Sequence, residues 1–122
     1  MTLRLNESLR YFKRVILGAT DRVWHYAKPR NEKFPYAIWN EYSEEDSLYA
    51  DNRKKHQPVL IGLDYYTQTE FDPVIDVIQN VLNDAPGIAF ELKDIQYEEE
   101  TNVIHYGWHV VVGDGESDNF RV

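Results

Sequence analysis

The sequence predicts a two-layer α+β protein, in which a mostly antiparallel four-stranded sheet packs against two helices. Apolar residues recur every three or four positions near the N-terminus and again in the middle of the chain, as in amphipathic helices. Three segments alternate apolar and polar residues and a fourth is continuously apolar, as in strands. A chain of 122 residues fits one domain, which we expect to span residues 1–112.

The first helix is predicted from four apolar residues near the N-terminus. Leu5, Leu9, Phe12 and Ile16 follow at intervals of four, three and four, which places them on one face of about four helical turns. We expect Gly18 to end this helix in a left-handed conformation.

Two strand-like segments follow the first helix. Residues 23–27 can form a short strand fragment, but the charged, proline-containing stretch 28–33 cannot continue it. Residues 34–42 alternate β-branched or aromatic residues with others, which predicts a full strand.

A long polar loop, residues 43–57, comes next. It has an acidic half, Glu44, Glu45 and Asp46, and a basic half, Arg53, Lys54 and Lys55, with Leu48 and Tyr49 between them. A loop of this length is usually functional or disordered. It is either a mobile hairpin connection or, as we favour, a segment that orders against a partner.

The stretch from Val59 to Leu82 organises the rest of the chain. Residues 59–66 form an apolar strand, and Asp72 followed by Pro73 predicts the start of the central helix. Asp72 can accept from free N–H groups of the first turn, and Pro73 occupies a position where no N–H is needed.

A hairpin and a tail complete the chain. Residues 88–97 alternate, but the pattern slips near Asp94, which predicts a bulge. Residues 98–102 make the turn and residues 103–112 return as a strand. We expect residues 113–122, which have little to bury, to be a flexible acidic tail.

Composition excludes several classes of protein. With no cysteine, disulfides and thiolate metal sites are ruled out, and a reducing compartment is expected. A net charge of −8 opposes binding to nucleic acid phosphates. No apolar run approaches the ~18 residues of a membrane span, so we expect a soluble protein inside a cell.

The residues that suggest chemistry have simpler explanations. His105 and His109 are four apart on a strand, about 13 Å, too far to share a metal ion. Glu91 and Lys93 form the E-x-K half of a magnesium-nuclease signature, with Asp64 or Asp84 offered as the third residue, but no basic patch accompanies them. Asp72 and Asp76 suit the positive end of a helix. No metal, other cofactor or catalytic residue is predicted.

The order of elements resembles that of tail-completion, or tail-terminator, proteins of long-tailed bacteriophages and prophages. The resemblance covers residues 3–112 and rests on the N-terminal helix, the Phe34-Pro35-Tyr36 strand opening, the long polar loop and the closing hairpin. It also includes the strand end at residues 64–67 before the Phe71-Asp72-Pro73 helix start.

The resemblance implies a structural, non-enzymatic virion protein. It would assemble in the cytoplasm of a bacterial host as a ring, typically of six subunits, on the tail of the virion. There it would cap the tail tube protein and meet the head connector proteins, without sequence-specific nucleic acid binding and without a membrane. The family has no catalytic residues to transfer.

The polar loop supplies the expected ring contact. Its interface residues would be Glu44, Glu45, Asp46, Leu48, Tyr49, Arg53, Lys54 and Lys55. The acidic half of one subunit would meet the basic half of the next, although these charges can also pair within their own hairpin or face water.

Two other functions stay open at this point. One is an intracellular adaptor that binds a protein partner by strand addition, which an exposed edge at residues 34–42 would favour. The other is a magnesium-dependent nuclease that uses Glu91 and Lys93.

Overall fold

Two helices lie against a five-stranded sheet in the computed structural model, which describes residues 4–44 and 57–113. The elements are, in chain order, α1 (Leu5–Leu17), β1 (Val23–His25), β2 (Tyr36–Glu44), β3 (Val59–Thr67), α2 (Pro73–Asp84), β4 (Ile88–Glu98) and β5 (Val103–Val112). Strand order across the sheet is β1-β2-β3-β5-β4. The pair β1–β2 is parallel and the other pairs are antiparallel. The predicted α+β class is therefore confirmed.

The sheet has five strands where the sequence predicts four. The fragment at Val23–His25 joins the sheet by pairing in parallel with Ala37, Ile38 and Trp39 of β2. The pairing continues beyond the strand, because the Tyr26 N–H donates to the Trp39 carbonyl at 2.8 Å. So short a strand depends on the free edge of β2 rather than on its own propensity, and a sequence pattern does not show that edge.

The core lies between the sheet and the helices. Alternate residues of β3 are buried toward the helices: Val59, Ile61, Leu63, Tyr65 and Thr67. From α1, Phe12 packs edge-on against Trp39 at 5.0 Å between ring centroids, and both side chains are buried. On the other side of the core, Trp108 of β5 donates its indole N–H to Gln79 of α2 at 3.1 Å. Thus α1 packs toward β2 and α2 toward β5 and β4.

The two helices end differently from one another. The carboxylate of Asp72 caps α2 by accepting from the Val74 N–H at 2.9 Å, with Pro73 in the first helical position, as predicted. At the C-terminal end of α1 the prediction is wrong, because Gly18 is right-handed, with φ −68°. Its N–H donates to the Val15 carbonyl, so the chain leaves α1 through a tightened turn that needs no left-handed residue.

Strand β4 forms one edge of the sheet and contains the predicted bulge. Leu92 pairs with Trp108 and Asp94 pairs with Gly107, which leaves Lys93 as the extra residue.

None of the helices in the described ranges combines the length and apolar character that crossing a membrane requires.

Candidate protein-binding surfaces

Most of the interface residues predicted from the sequence lie outside the described residues. Glu44 ends β2, where it pairs with Val59 of β3. The other seven, Glu45, Asp46, Leu48, Tyr49, Arg53, Lys54 and Lys55, fall in the interval between residues 44 and 57. The ring contact through this loop therefore stays a prediction, as does the flexible tail, of which only Gly113 is described.

The sheet topology covers part of the edge at residues 34–42, where strand addition was predicted. Strand β2 lies between β1 and β3 and forms backbone pairs on both sides. β1 pairs with Ala37, Ile38 and Trp39, so the expected edge is covered at these residues. Among residues 4–44 and 57–113, the longer open edge of the sheet is β4, with eleven residues.

Glu91 and Lys93 lie on this open edge and contact each other. The Lys93 ammonium is 3.8 Å from a Glu91 carboxylate oxygen, and both side chains are exposed. Across the described residues, three or more histidine, aspartate or glutamate side chains never come together in a metal-binding arrangement. Asp84 lies at the end of α2, and Asp64 has a different partner.

That partner is His105, on the face of the sheet opposite the helices. An Asp64 carboxylate oxygen lies 2.7 Å from His105 Nε2. The ring of His105 also stacks on Tyr66 at 4.5 Å, and Tyr66 lies 5.2 Å from Tyr36. Phe34 extends the row, 5.2 Å from Tyr36, so His105 is one member of an aromatic row along this face. His109 is exposed and lies farther along β5.

The buried carboxylate of Asp72 also has a structural explanation. Besides capping α2, it accepts hydrogen bonds from the hydroxyls of Tyr65 and Thr67, each at 2.7 Å. Burial, followed by the hydrogen bond and the negative charge of Asp72, raises the pKa of Tyr65 well above its usual 10.0. The arrangement holds the end of β3 to the start of α2.

Large apolar side chains are exposed where α2 begins beside β4 and β5. Phe71 is 88% exposed, and Ile95 and Tyr97 of β4 are 58% and 59% exposed. Phe71 shares a groove with Ile104 and Tyr106 of β5 and with two exposed carboxylates, Glu70 and Asp76. Clustered exposed apolar side chains with a polar rim are typical of protein-binding surfaces.

Charge is divided unevenly between the two sides of the molecule. Residues 4–33, which form α1, β1 and the following loop, contain eight lysines and arginines against three acidic residues. Residues 59–113, which form β3, α2, β4 and β5, contain one lysine against ten acidic residues. The overall charge of −8 therefore conceals a basic side and an acidic side.

A recess opens on the basic side, between α1 and the β1–β2 pair. Leu9, His25 and Trp39 contribute to its wall, and Arg10 and Lys13 stand beside them. The recess has a volume of about 330 Å³. The recess thus combines apolar, aromatic and amide side chains with two cations, and its His25 contacts one carboxylate, Glu41, at 2.7 Å, whereas the groove around Phe71 contains several carboxylates and no cation.

Comparison with known proteins shows a similar fold in a solved virion structure. No protein-family profile and no curated protein matches the sequence. A chain in the solved structure titled "Virion of native gene transfer agent (GTA) particle" is similar in fold, with a TM-score of 0.53 and 10% sequence identity. The alignment covers 90% of this chain and 90% of that chain. At this identity the likeness establishes the shared fold.

Sequence reasoning missed both surfaces of opposite charge. In the sequence, nothing distinguishes Phe71 from an apolar residue of the core. The structure shows that its side chain is exposed. The division of charge between residues 4–33 and 59–113 is visible in the sequence and could have been found by counting charge along the chain instead of in total.

Proposed function

We propose that this chain is a non-catalytic structural protein of a phage-like virion. The observation that carries the proposal is the fold shared over nine-tenths of both chains with a chain of the gene transfer agent virion particle. The resemblance of the element order to tail-completion proteins supports the same class independently, because it rests on the sequence and not on the structure.

The proposed position is the end of the tail. There the chain forms a ring, of six subunits by the family resemblance, which caps the tail tube and contacts the head connector. Its partners are then copies of itself, the tail tube protein and the connector proteins. Each subunit needs several protein-binding surfaces for this role, and exposed Phe71, Ile95 and Tyr97 provide apolar area for such contacts.

The net charge fits a ring through which DNA passes. A lining of carboxylates repels the phosphate backbone, so the nucleic acid does not adhere to the wall. Exposed carboxylates between positions 59 and 113, such as those of Glu98, Glu99 and Glu100, can supply such charge.

The ring is tested by the native mass of the purified protein over a concentration series. We expect closed species that are multiples of the 14.4 kDa chain, with the hexamer dominant. Reversing the charges of Arg53, Lys54 and Lys55 tests whether the polar loop makes the contact, since a loop contact predicts loss of the ring while the monomer stays folded.

The position in the virion is tested in the host that produces the particle. Deleting the gene should give filled heads and separate tails of irregular length by electron microscopy, and the gene supplied on a plasmid should restore joined particles. Joined particles of normal tail length from the deletion strain would refute the tail-capping role.

A further inference from the structure

We infer that copies of this chain bind one another head to tail, with Phe71 of one copy inserted into the recess between α1 and the β1–β2 pair of the next. The inference deepens the ring of the proposed function by naming the contact within the described residues. It rests on the proposed function for one assumption, that the neighbour is a second copy of this chain.

Phe71 combines high exposure with an unusual backbone conformation. It is 88% exposed, so it contributes little to the core, and its φ of 60° is a left-handed conformation that a large aromatic residue rarely adopts. An exposed phenylalanine held in an unfavourable backbone conformation is explained by neither packing nor local preference. A partner that covers the ring would account for both features.

The surroundings of Phe71 specify the charge of that partner. Exposed Glu70 and Asp76 line the same groove, and the buried carboxylate of Asp72 lies between them in sequence. In residues 59–113 the only cation is Lys93, which contacts Glu91. The partner surface is therefore an apolar pocket with a basic rim.

The recess on the basic side has these properties. Leu9 and Trp39 give it an apolar wall, His25 adds an aromatic ring, and exposed Arg10 and Lys13 give it positive charge. Over the two described ranges, neither Arg10 nor Lys13 forms an ion pair within its own chain. Within the described residues, no ion pair therefore competes with a contact to a neighbour's Glu70 and Asp76.

The positions of the two surfaces make the contact directional. The recess borders β1, at one edge of the sheet, whereas the groove of Phe71 borders β5, beside the opposite edge. A subunit that uses different surfaces for its two neighbours forms a heterologous contact, which closes into a ring when the rotation permits.

The first test compares two single substitutions that add the same charge. Phe71→Lys places a cation against the basic recess, whereas Val77→Lys changes a 39% exposed residue of α2 that the proposal leaves outside the contact. By native mass spectrometry at matched concentration, we expect Phe71→Lys to be monomeric and Val77→Lys to assemble like the wild type. Far-UV circular dichroism and thermal unfolding check that both monomers are folded.

The second test exchanges the charges of the two surfaces. One variant carries Glu70→Lys and Asp76→Lys, and the other carries Arg10→Glu and Lys13→Glu. Each variant alone sets like charges against each other and should remain monomeric. Mixed in equal amounts, they restore opposite charges at every contact of an alternating ring, so we expect rings that contain both chains in a one-to-one ratio.

The outcomes separate this contact from the wider function. Assembly of Phe71→Lys and of both charge variants as efficiently as the wild type would overturn the contact and leave the ring to other residues, such as the polar loop. Failure of the mixture to assemble, with both variants folded, would also overturn it. A wild-type chain that stays monomeric at millimolar concentration would refute self-docking. The virion role is tested separately, by the phenotype of the deletion strain.

Discussion

The carboxylate of Asp72 accepts hydrogen bonds from three donors, one in the backbone of α2 and two in the side chains of β3. Sequence reasoning predicted the first of these from the position of Asp72 before Pro73. It did not predict the other two, because which strand residues turn their hydroxyls toward a helix end depends on how the strand packs. The sequence thus identified the residue but only part of its role.

Removing the Asp72 carboxylate should lower the free energy of unfolding by more than the loss of a helix cap alone would. Asp72→Ala loses the cap and leaves the buried hydroxyls of Tyr65 and Thr67 without their acceptor, so we expect the free energy of unfolding in urea to fall by about 2–4 kcal/mol. Asp76→Ala, in the same turn but exposed, is the control and should lose no more than about 1 kcal/mol. Equal losses from the two variants would contradict the buried network.

The Tyr65 hydroxyl should make the fold sensitive to alkali. Its pKa is raised in the folded state above the usual 10.0, so the unfolded chain releases this proton first as pH rises. The stabilisation is fully present below about pH 10 and is lost as pH increases beyond it. In urea unfolding, the free energy of unfolding should therefore fall less steeply between about pH 9 and pH 11 for Tyr65→Phe than for the wild type. The exposed Tyr42→Phe serves as control, and an unchanged slope in Tyr65→Phe would count against the assignment.

Elements with a clear period were predictable, and elements that depend on a neighbour were not. Both helices, four strands and the slip near Asp94 follow from apolar spacing, because burial on one face imposes that spacing directly. β1 was recognised only as a fragment, since its three residues acquire strand geometry from the edge of β2. Gly18 misled for a similar reason, because glycine permits a left-handed helix end without requiring it.

Helix α1 is attached to the sheet through Phe12. This side chain is fully buried and packs on Trp39, so Phe12→Ala should lower the free energy of unfolding by about 3–5 kcal/mol. Leu17→Ala, at a position 43% exposed on the same helix, is the matched control and should cost far less. Comparable destabilisation by both variants in urea titrations would mean that α1 does not depend on this contact.

At the scale of the whole molecule, basic residues are concentrated in the segments at the β1 edge of the sheet and acidic residues in the segments toward the β4 edge. Total charge and pI did not reveal this asymmetry, and the exposure of Phe71 could not be read from its neighbours in sequence. The predicted interface in the polar loop and the inferred contact at Phe71 are compatible, because a ring subunit has area for more than one contact with each neighbour.

Association through charged surfaces should weaken as salt is added. Raising sodium chloride from about 0.05 M to about 0.5 M shortens the screening length several-fold and weakens the attraction between the charged surfaces. On dilution, the proposed ring should therefore begin to dissociate at a higher protein concentration in high salt than in low salt. Light scattering over a dilution series at each salt concentration measures this shift. The Val77→Lys variant should follow the wild type, and association that is indifferent to salt would point to an apolar contact without charge complementarity.

The bulge at Lys93 has a consequence for subunits that have not yet assembled. An open edge strand of eleven residues can recruit strands from other chains and start fibrous aggregates. The extra residue interrupts the regular backbone ladder in the middle of that edge, and Glu91, Lys93 and Asp94 place charge beside the interruption. The bulge and these charges therefore oppose edge-to-edge polymerisation of free subunits, which in the proposed ring keeps them available for the contacts made by their other surfaces.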